Sequence, residues 1–223
     1  MNNSKHQKTK KKPWPTKKAM EQVYEKKLWG ANESPFYSGE GSHDLKIVKP
    51  YIEAVSKFLK SFRTPVSVCD LGCGDFNIGK QLQSVAKHYY AIDIAKPLID
   101  YNKTKFNAEH LEFYCMDIAK DDLPPSDIVI LRQVLQHLSN TEIKQLIDKL
   151  YSYRYIILTE HIPNGNFEPN KDIISGQGIR LKKRSGVSVL EAPFLLSVKS
   201  QQELCRFNLN EQKGVIVTWV YEL

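Results

Sequence analysis

The chain has no apolar run approaching the roughly 20 residues needed to cross a bilayer, and its lysine-rich start lacks the apolar core of a secretory signal. A cytoplasmic protein is the expectation. Cysteine is scarce: Cys69, Cys73, Cys115 and Cys205 include no Cys-x-x-Cys pair. Cys69 and Cys73 have the first spacing of a Cys-x3-Cys-x2-Cys cluster motif, but the third position is Phe76, so no metal site is expected. The cysteines read instead as small buried hydrophobes of a reducing compartment. Acid is missing from residues 1–18, which hold seven lysines. The formal charge of +7 therefore belongs to that segment, and the rest of the chain nets zero. Such a polar, proline-interrupted stretch reads as a disordered, solvating tail. Base-reading residues are absent from it, so nucleic acid is not the expected partner.

What is present is one organising stretch, Val66-Ser-Val-Cys-Asp-Leu-Gly-Cys-Gly-Asp-Phe-Asn-Ile-Gly79. Val66, Val68 and Leu71 read as a buried strand, and Ile78, Leu82, Val85 and Ala86 then recur at helical spacing. Gly72 and Gly74 thus sit on a strand-to-helix turn where the backbone can approach a ligand closely. A nucleotide-like or carboxylate-bearing ligand suits that turn. Asp93, ending the apolar run Tyr89-Tyr90-Ala91-Ile92, is the acid expected about 20 residues on to hold ribose hydroxyls. The dinucleotide fingerprint Gly-x-Gly-x-x-Gly would need glycine where Asn77 stands, which counts against a nicotinamide enzyme.

Along the chain, Met20, Val23, Tyr24 and Leu28 share a helical face over Lys17 to Trp29, and Gly30 and Asn32 break it. Ser38-Gly-Glu-Gly-Ser42 reads as a compact loop able to receive an anion. Pro50 suits the first turn of a helix burying Ile52, Val55, Leu59 and Phe62. Leu98, Ile99 and Phe106 mark the next helix, Leu111, Phe113 and Cys115 a third strand, and Asp127 to Leu131 a fourth. Ser139-x-x-Glu142 is a capping box opening a helix with Ile143, Leu146, Ile147 and Leu150 inside. Tyr155 to Thr159 is a fifth strand. Strands alternating with helices imply parallel pairing, with ligands beyond the strands' carboxyl ends where strand order reverses. Asn164 to Gly186 is a long polar segment without period, and Gln202 to Leu209 with Val215 to Tyr221 form an antiparallel hairpin.

Asp70-Leu-Gly-Cys-Gly74, Asp93, Cys115-Met-Asp117 and Asp127-Ile-Val-Ile-Leu-Arg132, in that order, resemble the class I S-adenosylmethionine-dependent methyltransferases over about residues 60 to 160. The segment with Trp29-Gly30 and Ser38-Gly-Glu-Gly-Ser42 is similar to that of a bacterial subgroup. The family often has a third glycine where this chain has Phe76, which implies a loop tighter or capped by an aromatic ring. The resemblance implies a Rossmann-like α/β fold: a seven-stranded, mostly parallel sheet with helices on both faces and a C-terminal antiparallel hairpin. After a disordered basic tail at 1–18, residues 19–223 are expected to form one domain. Within it, 19–62 are cap helices and loop, 63–160 the cofactor-binding core, and 161–223 the substrate-side loop and hairpin.

The same resemblance implies S-adenosylmethionine as cofactor and S-adenosylhomocysteine as product. Gly72 and Gly74, with Leu71 and Cys73 of the same turn, make room for the methionyl part, and Asp70 orients its amino group. Asp93 accepts from the ribose, and Asp117 from the adenine amino group, with Ile94 and Ile118 flanking the ring. Trp29, Ser38 and Gly41 either close over the cofactor or form a surface turn and a core tryptophan. Arg132 grips the cofactor carboxylate or an anionic substrate, or makes a structural ion pair, and Gln133 is a neutral hydrogen-bonding candidate.

Candidate bases are Glu160 and His161 after the fifth strand, His137 in Val-Leu-Gln-His-Leu, and His43, each with a structural alternative. The Asn/Asp-Pro-Pro-Tyr/Phe motif of exocyclic-amine methylation is absent, Leu131-Arg-Gln-Val134 standing there. The expected acceptor is a small anionic metabolite contacted by Arg132 and the basic 180–184 loop, without membrane or nucleic acid. The alternatives are an RNA or protein methyltransferase recruited by the tail, and a non-catalytic cofactor-binding protein.

Overall fold

The computed structural model describes residues 14–209 and 213–223. The seven strands form one sheet in the order β3-β2-β1-β4-β5-β7-β6, and the first five are parallel. The first is β1 (Ser67–Leu71), buried but for its opening residue. It pairs with β2 (His88–Asp93) on one side and β4 (Ile128–Arg132) on the other. β3 (Leu111–Cys115) flanks β2 at one edge. β5 (Tyr155–Ile162) flanks β4, and β7 (Val215–Glu222) inserts antiparallel between β5 and β6 (Ser200–Asn208). The order therefore reverses between β1 and β4, which opens a crevice at their carboxyl ends.

Apolar cores cover both faces. One joins the sheet to α5 (Asn140–Leu150) and to Val187, Val189, Phe194 and Leu196 of an irregular segment. The other joins it to α2 (Leu45–Leu59) and to Leu82 of α3 (Gly79–Leu82). α4 (Lys96–Lys105) follows β2, with Leu98 and Ile99 buried.

Four expected boundaries move, each for a local reason. α1 (Thr16–Glu25) opens inside the stretch assigned to the tail, because the Thr16 hydroxyl donates to Glu142 Oε1 of α5. The rest of the tail, 1–13, lies outside the described residues, as does the hairpin tip at 210–212. α2 starts at Leu45 rather than Pro50, because Asp44 caps it by accepting from Lys46 N at 2.9 Å, and Val48, Tyr51, Val55 and Leu59 extend the buried face. Pro50 then sits inside the helix and leaves the Lys46 carbonyl without its helical partner.

The helix after the glycine turn is shorter than its apolar spacing suggests, passing into a 3-10 turn at Gln83–Val85. The missing third glycine explains the loop's path: Phe76 takes a left-handed φ of 61° and sends its ring inward. There it meets Tyr89, Phe106 and Phe113 edge-on at 4.9–5.8 Å. A Cβ on Gly79 would lie 2.2 Å from that ring, so glycine at 79 makes room for phenylalanine at 76. The ring thus anchors the loop from below. Finally, β5 continues past Thr159 to Ile162 because β7 pairs with it throughout.

Candidate active site

A cavity of about 540 Å³ occupies the crevice, within the size range of small-ligand sites. Its floor is the glycine turn. Gly72 N and Cys73 N both donate to Ile92 O, at 2.8 and 2.9 Å, which locks the turn to β2. Gly72 and Gly74 take φ of 81° and 56°. A Cβ on Gly72 would meet Val134 at 2.4 Å, and one on Gly74 would meet Ser38 Oγ at 2.4 Å. Glycine is thus required by both conformation and space.

Asp93 ends β2 at the cavity wall. Its Oδ2 accepts from Gly74 N at 3.1 Å and its Oδ1 from Ala95 N at 3.0 Å, so each oxygen keeps a lone pair for a ligand. Burial raises its pKa, opposed by those backbone amides. Asp70 is covered by β2, where Tyr89 Oη donates to it at 2.8 Å, and burial pushes its carboxyl up to about 7. Asp117 sits between Met116 and Ile118 on the cavity wall. Its Oδ1 takes Ala119 N at 3.1 Å and its Oδ2 takes Lys120 Nζ at 2.6 Å. Ile94 and Ile118 line the same side, while Cys73 is buried along the floor. Leu71, by contrast, is wholly buried in the core beneath the turn and does not line the cavity.

The Ser38–Ser42 loop is tied to the floor by a residue the sequence reading passed over. Asp75 Oδ2 accepts from Ser38 N at 2.8 Å and pairs with His43 Nε2 at 2.6 Å, while Asp75 N donates back to Ser38 Oγ at 2.9 Å. His43 is therefore a brace for this loop. Arg132, at the end of β4, does not ion-pair with a neighbouring acid among the described residues. It donates to Gly41 O at 2.6 Å and Ser42 Oγ at 3.2 Å and lies 4.7 Å over the Tyr51 ring. Its Nε is buried without a hydrogen-bond partner, while the residue as a whole lines the cavity. Gln133 takes a φ of 57°, and its amide oxygen packs so closely on Gly41 that a Cβ there would lie 2.4 Å from it.

A roof closes the remaining side. Trp29 packs on His137 with ring centroids 5.1 Å apart, and both line the cavity. His137 Nδ1 donates to Gly176 O at 3.1 Å, and its Nε2 lies 3.2 Å from the Gln136 amide nitrogen. Burial pushes its pKa down to about 4, so it is neutral with both nitrogens engaged. Gln177 Nε2 donates to Leu28 O at 3.0 Å, joining the 175–182 segment to the turn that follows α1. Glu142 fastens the same two pieces: its carboxylate accepts from Ser139 Oγ at 2.8 Å and also from the Thr16 and Ser175 hydroxyls.

Three expectations fail here. Glu160 and His161 do not reach the cavity, because β5 carries them on into its pairing with β7, opposite Val217 and Ile216. His161 Nε2 turns to Lys213 O at 2.6 Å. Glu160 is buried facing the Arg180 charge, with the Leu135 and Gln136 amides close by but no full hydrogen bond on either oxygen. Arg180 is no anion contact either. It is 1% exposed and donates to Lys171 O, Leu135 O, Leu138 O and Asn140 Oδ1 at 2.7–3.0 Å, as a strut beneath the roof. Of the 180–184 run, Lys182 lines the cavity, while Lys183 Nζ caps Asp172 O at 2.6 Å.

Residues 68–153 match the family described as "Methyltransferase domain". This segment is similar to a methyltransferase domain. A malonyl-acyl-carrier-protein O-methyltransferase of Bacillus anthracis is 31% identical over 42% of this chain and 35% of its own length. A carboxy-S-adenosyl-L-methionine synthase of Actinobacillus pleuropneumoniae is 28% identical over 45% of each. The chain thus spans between a third and a half of the curated relatives it matches.

In fold, the chain resembles N-methyltransferase NodS of Bradyrhizobium japonicum in complex with S-adenosylhomocysteine. The TM-score is 0.62 at 14% identity, covering 92% of this chain and 98% of that one. Magnesium protoporphyrin IX methyltransferase of Synechocystis superposes at 0.59 and 16% identity, covering 96% and 100%. The architecture is accordingly the Rossmann-like class I methyltransferase fold. Among the described residues no cluster of three metal-ligating side chains occurs, and no helix is long and apolar enough to cross a membrane.

Proposed function

We propose that this chain is an S-adenosylmethionine-dependent methyltransferase acting on a small anionic acceptor. The observation that carries the reading is convergence: the glycine turn, Asp70, Asp93, Asp117 and Arg132 come from four different strand ends to one cavity. Asp93 suits a ribose diol, because both its oxygens keep a free lone pair next to the glycine floor. Asp117, between Ile94 and Ile118, suits an adenine amino group. The amino-acid end then lies over Gly72 and Gly74, with Asp70 for its ammonium and Arg132 on the cavity wall for its carboxylate. Trp29, Ser38 and Gly41 close the near side, with Gln133 behind Gly41.

When bound, this cofactor supplies a methyl carbon made electrophilic by an adjoining sulfonium. The protein's share is to hold the acceptor in line with that carbon and keep water out. α1 and residues 175–182 do the latter, joined through Glu142 and Gln177. Lys182 supplies the positive charge that favours an anionic acceptor. The reading of a tail-recruited RNA or protein methyltransferase falls on residues 1–13, outside the described part.

A thermal-shift panel of S-adenosylmethionine, S-adenosylhomocysteine, NAD and NADP tests the cofactor assignment. A ligand at 100 times its Kd stabilises by about 2.7 kcal/mol, so the two sulfur nucleosides are expected to raise Tm by several degrees. A rise with NAD alone would overturn the reading.

A further inference from the structure

The end of the cavity formed by α1 and residues 177–182 has apolar walls, Met20, Trp29, Leu138 and Ile179, with Lys182 among them. Two observations decide which nucleophile fits there. The first is that His137, the one histidine lining the cavity among the described residues, has both ring nitrogens engaged, while the carboxylates there hold the floor and loops or turn to solvent. Asp75 is held by His43 and Ser38 N, Asp93 by two backbone amides, and Asp117 by Lys120. Asp70 lies under the Tyr89 hydroxyl, and Glu40 is exposed to solvent. His137 donates from Nδ1 to Gly176 O and receives the Gln136 amide at Nε2. A hydroxyl or ammonium acceptor must surrender a proton to such a base. A carboxylate brings its lone pair already free at neutral pH.

The second observation is the kind of cation available. Lys182 makes no hydrogen bond or ion pair among the described residues, whereas Arg180 is consumed by carbonyls below the roof. A guanidinium fork would engage both oxygens of a carboxylate, while an ammonium is a point charge that can hold one and leave the other exposed.

Resting on the methyltransferase reading above, we propose that the acceptor atom is a carboxylate oxygen of a small acid with an apolar body. Lys182 holds one oxygen, and Met20, Trp29 and Ile179 seat the body. The other oxygen forms a bond to the sulfonium methyl carbon as the carbon–sulfur bond breaks, its electron pair staying on sulfur. The products are a methyl ester and S-adenosylhomocysteine, and no proton moves. Anion and sulfonium cancel as the new bond forms, a loss of charge that a site sheltered from water favours.

The test uses the full chain saturated with S-adenosylhomocysteine, titrated calorimetrically with hexanoate and phenylacetate and with the matching alcohols and amines. The acids are expected to bind at least about tenfold more tightly. Lys182→Gln removes that margin, and Lys183→Gln leaves it. With methyl-labelled S-adenosylmethionine and the same acids, transferred label is expected to be released by alkali as methanol. Equal or tighter binding of amines or alcohols, absence of acid binding, or alkali-stable label overturns the proposal while leaving the cofactor reading intact. Failure of S-adenosylhomocysteine itself to bind brings down both.

Discussion

Glu160 keeps its proton because the fold buries its oxygens without a full hydrogen bond, and that burial moves its pKa up to about 8 from an ordinary 4.5. The folded chain therefore binds more protons at this site than the unfolded chain between those values, and stability falls as pH rises through the window. Replacing Glu160 by Gln removes the dependence. The variant is expected to gain on the parent from pH 5 to pH 8.5 by on the order of 4 kcal/mol, several degrees of Tm. Asp70, raised to about 7, has the same sign but is common to both proteins and cancels. Parallel Tm–pH curves would contradict this account. Arg132 makes a second case: its contacts with Gly41 O and Ser42 Oγ need two arms of a guanidinium. Arg132→Lys is expected to weaken S-adenosylhomocysteine binding about tenfold, measured by calorimetry, with little change in Tm.

At the scale of elements, Glu142 joins three pieces with one carboxylate: the start of α5, the first turn of α1 and the 175 segment. Glu142→Ala should cost about 1–2 kcal/mol. It should also quicken hydrogen exchange over 16–25 and 175–182 while the α5 interior stays protected. Faster exchange confined to the first turn of α5 would show that the roof does not depend on it. The sequence showed half of this device. Ser139-x-x-Glu142 is a local pattern and was legible, whereas the Thr16 and Ser175 contacts are long-range and leave no periodic trace.

The same division runs through the other elements. Strands and helices from 66 to 160 were legible because the apolar spacing changes cleanly between them. Pro50 misled because a missing donor suits a helix start, while the Asp44 cap six residues upstream had equal claim. Phe76 could be seen as a departure, but not that Gly79 clears room for its ring. In the site, the strand-end acids were legible by order and spacing. Arg180 was misread because a basic run looks solvated, and only the fold shows that one of its members is buried.

For the whole molecule, the strand order places the β1–β4 crevice at the centre and lets four strand ends share one cavity. On the proposed reading Asp93 links floor to ligand, since its carboxylate holds Gly74 N and Ala95 N while lining the cavity. The measurement that tests this most directly is calorimetric titration of S-adenosylhomocysteine into the parent and into Asp93→Ala, with circular dichroism to confirm that both are folded. The account predicts saturable one-to-one binding to the parent, weakened at least about tenfold in the variant, or 1.4 kcal/mol. Equal affinity for both proteins, or a parent that binds NAD and not S-adenosylhomocysteine, would contradict it.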